Sequence, residues 1–144
     1  MLTMTINRSV RAPVDKVFRT VAEPQEFAKA IPEITNMEFL GETKVGVGTK
    51  FVETRTMKGK EMKTALEVTE YEENNRVRMV TESHGTVWDS VYTVRANGPS
   101  TVLTLFMEAR TGNILAKVMM TLMWGRITRS VEANMDMVKA HCEK

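Results

Sequence analysis

Long segments of alternating residues, broken at Lys58-Gly59, Asn74-Asn75, His84-Gly85 and Asn97-Gly98, restrict the fold of this chain more than any other feature. Each dipeptide can supply the positive φ angles of a tight two-residue hairpin, Asn-Gly most readily. The spacing predicts strands over Ile34–Leu40, Thr49–Met57, Lys60–Tyr71, Arg76–Glu82, Thr86–Ala96 and Thr101–Arg110. If every turn is a two-residue loop, the register follows, because paired residues share a face. Met57 then pairs with Lys60, Arg55 with Met62, Glu53 with Thr64 and Phe51 with Leu66. The later turns pair Val68 with Thr81, Thr81 with Trp88, Met79 with Ser90, Tyr92 with Leu103, Ser90 with Leu105 and Trp88 with Met107. One face so defined is mainly apolar. The other carries Lys63, Glu67, Arg76, Arg78, Glu82, Asp89, Arg95, Glu108 and Arg110, so the charge separates as a half-buried antiparallel sheet requires.

The flanks of this region are of a different kind. Leu2 to Arg11 alternates as a further strand. After Ala12-Pro13, the residues Val14, Val17, Phe18 and Val21 recur at i, i+3, i+4 and i+7, predicting a short amphipathic helix. A second short helix is expected to start near Pro24, to bury Phe27, Ala28 and Ile31, and to stop at Pro32. From about Asn113 to Ala140 there is no Pro. There, Met120, Trp124, Ile127, Val131, Met135 and Val138 form one helical stripe. At 1.5 Å per residue such a helix is roughly 40 Å long, enough to cross the whole concave face of the sheet. The expected fold is therefore α+β, a curved seven-stranded antiparallel sheet around a long C-terminal helix, in a single domain over residues 1–144.

Composition removes several classes of function. A net charge of +2 over 144 residues gives no basic stripe for nucleic acid. The single cysteine, Cys142, excludes an internal disulfide framework and suits a reducing, cytoplasmic setting, and Met1 onward lacks the pattern of a secretory signal. The greasiest stretch, Ile114 to Trp124, is interrupted by Lys117 and Thr121 and is too short to span a bilayer. Two histidines, His84 in a turn and His141 near the end, provide no metal-ligand spacing, and neither a metal nor another cofactor is expected. No Gly-x-Ser-x-Gly occurs, and Gly46-Val-Gly48 precedes a strand and reads as a turn instead of a phosphate loop.

The order strand, two short helices, six strands, long helix resembles the helix-grip fold of the START and birch-pollen-allergen superfamily. Local sequence agrees with its bacterial polyketide cyclase/dehydrase-like branch. The similar segments are Val10-Arg-Ala-Pro-Val-Asp-Lys-Val-Phe18, Ala22-Glu-Pro-Gln-Glu-Phe27, Val45-Gly-Val-Gly-Thr-Lys-Phe51 and Glu67-Val-Thr-Glu-Tyr71. The resemblance covers essentially the whole chain. It implies a fold shared by lipid carriers, hormone receptors, aromatase/cyclases and ubiquinone-binding proteins, and no member's catalytic set maps onto this sequence.

The apolar face itself suggests a ligand cavity between sheet and helix. Twelve methionines add adaptable lining material. The candidate ligand-binding residues are Glu53, Arg55, Met62, Thr64, Leu66, Met79, Thr81, Trp88, Ser90, Tyr92, Leu103, Leu105 and Met107 from the sheet, with Met120, Trp124 and Ile127 from the helix. Glu53 and Arg55, two apart on one strand and ~6.6 Å apart at Cα, are within reach of each other. Were catalysis to occur, Arg55, Tyr92 and Glu53 are the candidates to carry it. The expected function is carriage or sensing of a small hydrophobic or aromatic molecule. A cyclase/dehydratase-like enzyme and an interaction module with a vestigial cavity are the alternatives. Ile114–Trp124 has apolar residues on more than one face. It is expected to pack on the short helices, to cover the pocket entrance with Thr111-Gly112 as a hinge, or to form a homodimer contact.

Overall fold

A computed structural model describes residues 1–144. In chain order it contains β1 (Leu2–Val10), α1 (Val14–Ala22), α2 (Pro24–Ala30), β2 (Ile34–Phe39), β3 (Lys50–Met57), β4 (Lys60–Glu72), β5 (Arg76–Ser83), β6 (Thr86–Asn97), β7 (Ser100–Thr111) and α3 (Ile114–Cys142). The seven strands form one antiparallel sheet in the order β1-β7-β6-β5-β4-β3-β2. Every consecutive strand pair from β2 to β7 is a neighbour, and β1 closes the far edge on β7. The sheet wraps α3, and α1 and α2 seal one end of the concave face. The core lies there, built on Val10, Val17, Phe18, Ile31, Leu103, Leu105, Met135 and Val138. Asn113 caps α3, its side chain accepting from the Ala116 N–H at 2.7 Å.

Two turns have the expected register. Lys58 (φ 52°) and Gly59 (φ 79°) join Met57 to Lys60, and His84 (φ 51°) and Gly85 (φ 80°) join Ser83 to Thr86. The positive φ pairs are those of a type I′ hairpin, which matches strand twist. The other two turns differ. Between β4 and β5 the loop has three residues, with Glu72 opposite Arg76, and a bulge follows between Val68 and Glu70. Val68 therefore pairs with Met79, not Thr81. Between β6 and β7 the turn residues are Gly98 (φ 62°) and Pro99, with Asn97 opposite Ser100. Gly at the first central position suits a type II′ turn, and proline's fixed negative φ suits the second. The β6–β7 ladder consequently slides by two: Tyr92 pairs with Leu105, Ser90 with Met107 and Trp88 with Ala109. A slide of two preserves the face, so the expected division into concave apolar and convex charged sides is observed despite both corrections.

The bulge has a consequence of its own. Strict alternation from Val68 would aim Glu70 inward and Tyr71 outward. The extra residue, Thr69, reverses this. Tyr71 packs edge-on against Phe18 at 5.4 Å, and Glu70 reaches Arg76 and Arg78 on the convex face, each at 2.9 Å.

Candidate functional site

A hollow of about 130 Å³ lies between the middle of the sheet and the C-terminal half of α3. Of the residues predicted to line it, Glu53, Arg55, Leu66, Met79, Ser90, Tyr92, Leu105 and Met107 do so. They come from β3 to β7 and meet there because each faces the concave side of the register above. Sequence reasoning missed the other walls. Val21, Pro24 and Phe27 enter from α1 and α2, and Val131, Asn134, Met135 and Val138 from α3. The signal for Asn134 was present: positions 131, 134, 135 and 138 run i, i+3, i+4, i+7, so a polar side chain interrupts an apolar stripe.

Three of the polar lining groups, Glu53, Arg55 and Asn134, are joined to one another. The Arg55 guanidinium donates from Nε to Glu53 Oε1 at 2.8 Å and from Nη1 to Asn134 Oδ1 at 3.3 Å. Glu33, from the α2–β2 connection, lies 3.6 Å from the same Nη1. Side-chain exposure is 12% for Glu53 and 21% for Arg55, so the pair is mostly withdrawn from bulk water. That pairing supplies the compensation a desolvated charge requires. One guanidinium thus faces two carboxylates, and the corner has no cationic surplus. Tyr92 is half-buried against the core, tilted against Phe27 at a ring separation of 6.5 Å. Burial pushes its phenol above the usual tyrosine range, the charge of Glu53 adds to the shift, and Arg55 offsets part of it. Tyr92 therefore stays protonated at neutral pH, with a phenol proton that it can donate.

The remaining predicted residues lie elsewhere. Leu103 is fully buried core. Trp88, near the start of β6, pairs with Ala109 and stacks on Trp124 with ring centroids 6.1 Å apart, and the Trp124 indole donates to the Thr3 carbonyl at 3.3 Å. Met62 is 58% exposed near the β3–β4 tip, with Thr64 next to it on the same face. Thr81 donates its hydroxyl to the Ala65 carbonyl. Met120 and Ile127 are half-buried on the sheet-facing line of α3, outside the hollow. The short helices do not cover Ile114–Trp124: Leu115 and Leu122 remain 75% and 80% exposed, because α1 and α2 sit at the opposite end of the grip.

A curved antiparallel sheet closed around a long C-terminal helix, with a hollow between them, is the helix-grip architecture of Bet v 1-like proteins. The sequence matches, over residues 1–143, the family described as polyketide cyclase / dehydrase and lipid transport, and the chain belongs to that family. No curated protein matches the sequence. Among solved structures, the chain is similar to TTHA0849 from Thermus thermophilus (16% identity, 96% of this chain and 95% of that one, TM-score 0.76). It is similar to Ara h 8.0201 at 13% identity, with 98% and 97% coverage and a TM-score of 0.76. It also resembles the di-domain ARO/CYC StfQ from the steffimycin biosynthetic pathway. There it covers 99% of its own length and 51% of StfQ, at 13% identity and a TM-score of 0.75. At these identities the likeness is one of fold. No helix is long and apolar enough to cross a membrane.

Proposed function

We propose that this protein binds a small, largely apolar molecule of about one aromatic ring, with a neutral polar end directed at Glu53, Arg55, Asn134 and Tyr92. The observation behind this reading is a mainly apolar hollow of about 130 Å³ whose lining carries Glu53, Arg55 and Asn134 hydrogen-bonded to one another. Volume argues for the size: an engineered apolar cavity of about 150 Å³ takes up benzene. A long poly-β-ketone or a sterol would need the grip to open. Charge argues for the head group. Arg55 already faces two carboxylates, Glu53 and Glu33, so an incoming carboxylate would be a third anion against one guanidinium. A hydroxyl or carbonyl can instead accept from Tyr92, and a hydroxyl can also donate to the second Glu53 oxygen.

Titration of phenols, aromatic alcohols and benzoates, followed by native mass spectrometry, tests this. Neutral hydroxylated members are expected to bind. Tyr92→Phe is expected to weaken them about fivefold to tenfold, the worth of one hydrogen bond. Ser90→Leu, which fills the hollow, is expected to abolish binding. Tighter binding of benzoates would refute the head-group assignment. If no member binds and Ser90→Leu only raises stability, the hollow is a packing gap.

A cyclase- or dehydratase-like activity is the second reading, favoured by the family description and by a phenol donor and a carboxylate that line the same hollow. It requires turnover of a small keto substrate that disappears in Tyr92→Phe and in Arg55→Ala.

A further inference from the structure

The first half of α3 carries two apolar stripes on opposite sides. One, through Ala116, Met120, Trp124 and Ile127, is half-buried toward the sheet. At 100° per residue, Leu115, Val118, Met119 and Leu122 (spaced i, i+3, i+4, i+7) fall roughly opposite to it. These four are exposed, as are their neighbours Ile114 and Met123. Apolar surface gathered in one patch on a monomer marks a contact surface, whereas scattered apolar residues do not. The charge around the patch is one-sided. From Asn113 to Val131 the only ionisable side chains are Lys117, Arg126 and Arg129, all exposed, and the first acid is Glu132. At the same end of the molecule, the β3–β4 tip presents exposed Met57 and Met62 beside Lys58 and Lys60. The nearby acids Glu61 and Glu82 belong to the convex face.

We infer that this half of α3 is an interfacial docking surface for an anionic lipid bilayer, lying flat with the Leu115–Leu122 stripe in the acyl boundary and the basic residues at the headgroups. Exposed Leu, Ile and Met beside Lys and Arg, without acids, is the pattern of a helix that lies in the membrane plane about 5–10 Å deep. A second copy of the chain fits the patch less well. About ten helical residues extend ~15 Å, and a strip of that length one helix wide falls far short of the ~800 Å² per partner of a stable interface. A homodimer across it would also bring together two sets of Arg126 and Arg129, which share the face of that stripe, with no acid among them. An anionic surface removes that repulsion and adds attraction. This inference is independent of what the hollow holds, since the hollow lies under the second half of α3.

Co-sedimentation with vesicles tests it, comparing equal parts phosphatidylglycerol and phosphatidylcholine with phosphatidylcholine alone at low salt. The protein is expected to partition onto the anionic vesicles and to be released by high salt. The pair Leu115→Glu and Leu122→Glu, at positions already in water, is expected to reduce partitioning at least about tenfold. The second pair, Lys117→Gln and Arg126→Gln, is expected to reduce it about fivefold per charge removed. Tyr92→Phe is expected to leave it unchanged. Three results would overturn the inference: equal binding to both vesicle types, anionic binding that survives both pairs of substitutions, or no vesicle binding together with a dimer in sedimentation velocity that Leu122→Glu dissociates.

Discussion

At the scale of single residues, the Glu53–Arg55 pair and the convex-face cluster around Asp89 illustrate two ways of keeping a charge in a folded protein. In the first, a carboxylate and a guanidinium that face an apolar hollow neutralise each other. Truncating one strands the other, so Glu53→Gln and Arg55→Met are each expected to destabilise more than the double variant. The coupling, read from denaturant unfolding, should be of order 1 kcal/mol or more. Additive losses would show the groups to be independent. In the second, Asp89 is buried in the sheet surface with Arg78 donating to it at 2.8 Å and Arg110 3.6 Å away. Hydrogen bonding from Arg78 is the main cause holding its carboxyl below the ordinary range, and burial works against it. A depressed folded-state pKa adds stability that is complete above the unfolded value, near pH 4, and is lost as pH falls through the folded one. Wild-type stability is therefore expected to fall more steeply below about pH 4 than that of Asp89→Asn. The variant should itself cost ~1–3 kcal/mol at neutral pH, because Arg78 loses its main partner. The Thr69 hydroxyl, buried without a hydrogen-bond partner, supplies the opposite case. Thr69→Val removes an unsatisfied group at constant shape and is expected to be neutral or stabilising in thermal melts.

At the scale of elements, β4 and α3 each divide into two parts. The bulge at Thr69 lets one strand serve the hollow with Leu66 and the α1 contact with Tyr71, while Glu70 joins the outer ion pairs. Neither the bulge nor the three-residue loop at Asn74 is visible in alternation alone, because each shifts the pattern by one residue and together they restore it. In α3, the half from Val131 to Cys142 is packed between sheet and α1, whereas the half from Ile114 to Trp124 rests on a single narrow stripe. Stability within one helix should differ accordingly. Amides over residues 118–126 are expected to exchange with deuterium well before those over 132–142. Uniform protection along α3 would show the first half to be fixed by packing absent from this structure.

At the scale of the whole molecule, a hollow enclosed by β3 to β7, α1, α2 and α3 couples ligand binding to global stability, since a molecule held there is lost on unfolding. A phenol at a hundred times its dissociation constant is expected to add ~2.7 kcal/mol, raising Tm by several degrees in calorimetry. An unshifted Tm with bound ligand would show that the phenol binds the unfolded chain as well as it binds the native protein. The molecule as a whole also shows how far patterning reaches. An apolar stripe at helical spacing determined α3, and alternation and turn chemistry determined the strands and the side of the sheet that their residues occupy up to the bulge at Thr69, because a side-chain period of two specifies face. The same period cannot distinguish a register from one slid by two. That choice fell to the φ of Gly98 and the bulge at Thr69, and it moved Trp88 off Met107 to Ala109, beside Trp124. Glu53 and Arg55 are two apart on one strand and share its face, so their pairing was legible. Asn134 and Glu33, which complete their hydrogen bonding and charge, come from elements distant in sequence. The hollow itself is the small volume left between surfaces that pack from five strands and three helices. No local pattern encodes such a difference, and only the packed tertiary structure decides it.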